Sequence, residues 1–129
     1  MFATLLGPYP PAGPETPGAP GGDDAVGRTV AELAAAGLEP LSDGEQAWAA
    51  HGDPAAVAER WRVAAAATDR LVKQAVAGPY TLGSTGGPDA GVDRLAAAID
   101  GLVAAGCPLV EVEEPAANMI GDDVERHRF

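Results

Sequence analysis

The chain has 129 residues, enough for one modest domain with a real core, and 1–129 reads as a single domain. Apolar residues make up 47% but aromatics only 5%, which excludes a disordered composition and predicts a thin, alanine-rich core. A formal net charge of -11 argues against nucleic acid, whose binders are basic, and against attraction to an anionic membrane surface.

Residues 3–7 (ATLLG) read as a short buried strand, and 8–22 as a Pro/Gly-rich loop. Asp23 or Asp24 caps a helix that carries Val26, Val30 and Leu33 and stops at Gly37. Residues 38–41 form a second strand running into Ser42-Asp43-Gly44-Glu45. Asp53-Pro54 is a helix start, a cap followed by proline in the first turn, and Val57, Trp61, Ala64, Thr68 and Leu71 recur at helical spacing. Residues 71–77 are a third strand, carrying the only lysine, Lys73, and closed by Gly78-Pro79. After a loop over 84–88, a helix places Val92, Leu95, Ile99 and Leu102 on one face and ends at Gly106. Residues 109–113 are a fourth strand, and 118–129 begin a further helix.

This alternation predicts α/β architecture with a parallel sheet and right-handed crossovers. No GxGxxG follows the first strand, and Gly83-Ser84-Thr85-Gly86-Gly87 lacks the Lys and Ser/Thr of a phosphate-binding loop, so it reads as a turn. There is no CxxC or HExxH, and His51 and His127 lie in polar segments, so no metal ligand is assigned. The single cysteine, Cys107, excludes an intrachain disulfide and reads as a small buried hydrophobe. No run approaches the roughly 20 apolar residues of a membrane span, and the start lacks a basic-then-apolar leader, so the expected location is the cytoplasm.

The chemistry concentrates where strands end. Gly7-Pro8-Tyr9-Pro10, Asp43-Gly44-Glu45, Gly78-Pro79-Tyr80-Thr81 and Glu113-Glu114-Pro115 follow the four strands in turn. In a (β/α) barrel these points converge on one rim, where facing carboxylates hold an ammonium group, act as acid and base, or bind a metal. Taken singly, each is ordinary turn chemistry; their equivalent positions raise the functional reading. Strand alternation turns Glu111 away from Val112, where an arginine is its expected partner.

Four of these segments, in order, resemble the cobalamin-independent methionine synthase family in its C-terminal catalytic barrel. Leu6-Gly7-Pro8-Tyr9-Pro10 resembles the family's Ile-Gly-Ser-Phe-Pro, and the Ser42-Asp43-Gly44-Glu45 end of the second strand its Asp-Gly-Glu or His-Gly-Glu. Val72-Lys73 through Gly78-Pro79-Tyr80-Thr81 resembles its Val-Lys…Gly-Pro…Thr. Residues 104–116 resemble its Ala-Gly-Cys…Ile-Gln-Ile-Asp-Glu-Pro-Ala.

The resemblance implies a partial TIM (β/α)8 barrel, the N-terminal half with about four parallel strands, and a methyl transfer from a methyl-folate to the thiol of homocysteine. It implies that Glu45 and Glu113, with Gly7, bind the amino-acid substrate, the two carboxylates holding its ammonium group. It also implies zinc, which activates the thiol in the intact family. Three departures stand out. Pro8 replaces the family's serine, Glu113 replaces its aspartate, and the family's zinc ligands lie downstream of the residues matched here. Cys107 matches a family cysteine that is not a zinc ligand. The expectation is therefore a truncated or split form with no catalytic residue and no metal ligand of its own, inactive alone. Its open sheet edges predict pairing with a second copy or with a complementing C-terminal half-barrel. The alternatives are a non-catalytic half-barrel interaction module and a uroporphyrinogen-decarboxylase-like barrel fragment.

Overall fold

The computed structural model describes residues 3, 4, 7, 9, 23–45, 53–84, 86–119 and 121. Helix α1 spans Asp23–Ala35 and buries Val26, Val30 and Leu33, the stripe its spacing dictates. The chain leaves it through Gly37, whose φ of +77° is open to glycine without penalty. Helix α2 spans Pro54–Ala66. The Asp53 side chain accepts from the backbone N–H of Ala55 at 3.0 Å and Ala56 at 3.5 Å, and Pro54 occupies a position that needs no donor. Its buried face is Val57, Ala58, Trp61 and Ala64. The Trp61 indole N–H donates to the carbonyl of Val72 at 3.0 Å, fastening the helix to the segment that follows.

Helical spacing extends past Ala66 to Thr68 and Leu71, yet the helix stops. The backbone at Leu71 is needed elsewhere: its carbonyl accepts from Leu41 N–H at 2.8 Å, and Lys73 N–H donates to the Leu41 carbonyl at 2.8 Å. Strand β1, Gln74–Ala77, continues from there. Helix α3 is a short turn over Pro79–Leu82, helix α4 spans Pro88–Ala105, and strand β2 spans Val110–Glu113. A 3₁₀ turn over Pro115–Met119 follows. The strands β1 and β2 are parallel, with Gln74 opposite Val110 and Ala77 opposite Glu113.

The expected partial (β/α)8 barrel with four parallel strands is not formed. Among the described residues the sheet has two strands, β1 and β2. Among the described residues, the predicted second strand makes two isolated bridges, an antiparallel one from Glu39 to Ala3 of the predicted first strand and a parallel one from Leu41 to Val72. Pro40 explains part of this, because it has no N–H to continue a ladder beyond Glu39. The antiparallel sense at Ala3 removes the side-by-side parallel arrangement on which the barrel reading rested. The loop placed at 8–22, apart from Tyr9, lies outside the described residues, as do 120 and 122–129 of the expected final helix.

Helix α4 also differs from its predicted face. Leu102 and Ala98 are buried, Leu95 and Ile99 are half-buried, and Val92 is 54% exposed. The inward row is Gly91, Ala98 and Leu102, rotated one position from the apolar row read in the sequence. Gly91 sets that rotation. A Cβ there would collide with the carbonyl oxygen of Pro79 and lie 2.8 Å from Gly83 N, so α4 approaches α3 along a face without a side chain. The core joins Val26, Val30, Leu33, Leu41, Val57, Trp61, Val72, Val76 and Leu102, drawing on both the helices and the sheet.

Candidate functional site: an acidic cluster beside the parallel strands

The β1–β2 register sorts the strand residues onto two faces. Gln74, Val76, Val110 and Val112 share one, and Val76 and Val110 pack into or against the core from it. Ala75, Ala77, Glu111 and Glu113 share the other. Lys73, just before β1, reaches this second face: its ammonium group forms a short ion pair with Glu111 Oε2. The lysine side chain is only 3% exposed, and the Glu111 carboxylate offsets its charge. The arginine expected beside Glu111 is thus replaced by the chain's single lysine.

The turn Ser42–Glu45 lies against this charged face. Ser42 Oγ accepts from Gly44 N–H at 3.1 Å, and Asp43 Oδ1 accepts from Glu45 N–H at 2.9 Å. Such local side-chain bonds shape a tight turn without a ladder. Asp43 is buried, and its other oxygen accepts from Arg60 Nε at 3.3 Å, an ion pair that ties the turn to α2. The Gly44 carbonyl accepts from Tyr9 N–H at 2.9 Å. Gly44 and Glu45 both have positive φ, +73° and +54°. The first suits glycine; the second is uncommon for a side-chain-bearing residue and costs about 1 kcal/mol.

Glu45 is the centre of the cluster. It is 5% exposed, and its Oε2 is buried with no hydrogen-bond donor. Burial pushes its carboxyl up from 4.5 to about 7, and the charges of Glu113, Asp43 and Glu111 push the same way, opposed by Lys73. The influence of Glu113 on Glu45 puts the two carboxylates within electrostatic range of each other. Gly7, the third selected residue, is half-buried with φ +78°, and a Cβ added there would meet nothing within 4 Å. Its link to the cluster is indirect, through Tyr9 and Gly44. Pro8, His51 and His127 lie outside the described residues.

The three glutamates at the end of β2 have separate roles. Glu111 neutralises Lys73, and Glu113 lies close enough to raise Glu45. Glu114 instead turns to α3. Its Oε2 accepts from Tyr80 N–H at 2.9 Å, its Oε1 from Thr81 N–H at 2.9 Å, and the Thr81 hydroxyl donates to Oε1 in a short bond. A side chain at Gly78 would strike this carboxylate. Lys73, Asp43 and Glu114 were thus underweighted in the sequence. A lone lysine inside LVKQAVA was the available signal for the first, since a buried cation needs an anion. Nothing local marks Glu114 as a cap for residues more than thirty positions earlier.

Among the described residues no group of three or more His, Cys, Asp or Glu side chains is arranged to hold a metal ion. Cys107 is half-buried, its thiol donates to the Leu109 carbonyl at 3.3 Å, and burial pushes its titration up, which disfavours a thiolate. The described residues therefore do not fit zinc. No helix among them is long and apolar enough to cross a membrane.

No protein-family model matches the chain, and neither the curated proteins nor the solved structures contain a match to it.

Proposed function

We propose that the cluster around Glu45 binds the ammonium group of an amino-acid thiol, with Glu45 and Glu113 as its anionic partners. The chain would thereby serve a methionine-synthase-like methyl transfer from a methyl-folate to homocysteine. What carries the reading is the buried Oε2 of Glu45, an acceptor without a donor in a cluster richer in carboxylates than in cations. An ammonium group supplies three donors and a positive charge, and charge-assisted bonds to carboxylates are among the stronger hydrogen bonds. The ordered resemblance of four segments supplies the choice of homocysteine. The residues assigned here bind and orient the substrate, and none is assigned to thiol activation or to zinc.

Calorimetric titration with L-homocysteine and with its deaminated analogue, 4-mercaptobutanoate, tests the reading. The amino acid is expected to bind and the analogue to bind at least tenfold more weakly. Glu45→Gln should weaken homocysteine more than Glu111→Gln does, because Glu111 is already engaged by Lys73. Equal affinity for the two ligands, or equal effects of the two substitutions, would overturn it.

A further inference from the structure

We infer that the cluster is a proton–ammonium exchange site: Glu45 carries a proton while the site is empty and releases it to solvent as an ammonium group docks. The inference rests on the ammonium-binding reading above and adds how that site is gated. Its basis is a buried Glu45 oxygen without a donor, set among more acidic than basic side chains of the described residues. Among the described residues, Glu45 lies within electrostatic range of three other carboxylates, Asp43 from the same turn and Glu111 and Glu113 from β2. Among the described residues, Arg60 from α2 is bonded to Asp43 and Lys73 from the start of β1 to Glu111. Each of those bonds is directed at a carboxylate other than Glu45.

Glu45 is left with a buried oxygen that no donor reaches. An anion there leaves Oε2 without solvent or a donor, and Glu113 and Asp43 add repulsion. Two species relieve the same deficit, a proton on the carboxyl or a cation beside it. They compete, because either one removes the reason for the other. The exchange balances: the O–H bond of Glu45 breaks, its proton passes to water, and the ammonium N–H groups donate to the carboxylate that remains. The elevated titration of Glu45, near neutrality, puts this competition within the physiological range. Two carboxylates that repel each other and share a locale behave alike elsewhere, one of the pair retaining its proton to unusually high pH.

The test uses the full chain with its glutamate carboxyls labelled with ¹³C, the Glu45 resonance being assigned by its loss in Glu45→Gln. Methylammonium chloride is the simple cation and L-homocysteine the amino-acid probe. The Glu45 carboxyl of the empty protein should titrate near neutral pH, and its midpoint should fall as methylammonium is added. Amine affinity should rise about tenfold between pH 6 and pH 8, with about half a proton released per ligand at pH 7. In Glu45→Gln the remaining amine binding should lose its pH dependence. A Glu45 midpoint below about pH 5 in the empty protein, or one that saturating methylammonium leaves unmoved, overturns the inference. Homocysteine binding that requires the amino group but is flat from pH 6 to pH 8 overturns the exchange while leaving the proposed function intact. Methylammonium exchange with no preference for homocysteine over its deaminated analogue supports the exchange and overturns the proposed function. Failure of both amines at every pH overturns both.

Discussion

Two glutamates in this small molecule are put to opposite uses. Glu114 accepts from two backbone N–H groups and a hydroxyl, and so closes the short helix α3 against the end of β2. Glu45 has a buried oxygen that accepts from nothing. Both are acidic; Glu114 follows directly on β2, and Glu45 ends the turn after the bridge at Leu41. The difference lies in what surrounds each carboxylate. One is satisfied by the fold and stabilises it; the other is left short of donors and costs stability until something arrives. An unsatisfied buried charge is the mark of a site, whereas a satisfied one is part of the frame.

The comparison breaks most severely if the frame around Glu114 is displaced. Gly91→Ala drives a methyl group into the Pro79 carbonyl, the first residue of the helix that Glu114 caps. The expected loss is more than about 3 kcal/mol by urea denaturation, since α4 and α3 must separate. A loss below about 1 kcal/mol would mean that the close approach at Gly91 is not what positions α3. A direct attack on the cap is next. Glu114→Gln removes the charge and turns an amide donor toward backbone donors, and it should cost about 2 kcal/mol.

The smallest and most informative change is at Glu45, where the sign reverses. The folded chain retains the Glu45 proton to about pH 7, against 4.5 for the ordinary group, so between those values the native state binds more protons than the unfolded chain. Stability from this group therefore falls as pH rises through that window and levels off above it. Glu45→Gln removes the titration. It should stabilise the protein by on the order of 1 kcal/mol at pH 8, do little near pH 4.5, and flatten the fall between them. Equal destabilisation by Glu45→Gln and Glu114→Gln would show that both carboxylates belong to the frame.

Much of the local structure was legible. Val26, Val30 and Leu33 predict the buried face of α1, and Asp53-Pro54 marks the start of α2. Gly106, with φ +91°, ends α4 as expected. Residues 71–77 and 109–113 read as strands, and β1 and β2 lie within those limits. The errors came from pattern without partners. Residues 38–41 look like a strand, but Pro40 interrupts their ladder and only Leu41 pairs with Val72. Val92 fits an apolar helical row, but the contact at Gly91 rotates α4 and leaves Val92 outside. Within the site, the sequence points to Glu45 and Glu113, whereas the Lys73–Glu111 pair and the Glu114 cap are visible only in the structure.

The amino-acid sequence by itself determined where α1 and α2 begin and where α4 ends, which residues are apolar enough to form the core, and that carboxylates gather near the ends of extended segments. These depend on neighbours within a few positions, through caps, glycines and hydrophobic spacing. Only the tertiary structure decided how many strands pair, and in which direction, and which carboxylate is satisfied. Those outcomes depend on donors brought from 33 or 38 positions away, as with Thr81 to Glu114 and Lys73 to Glu111. A carboxylate's cost or benefit is set by the donors within reach, and that reach is created by folding.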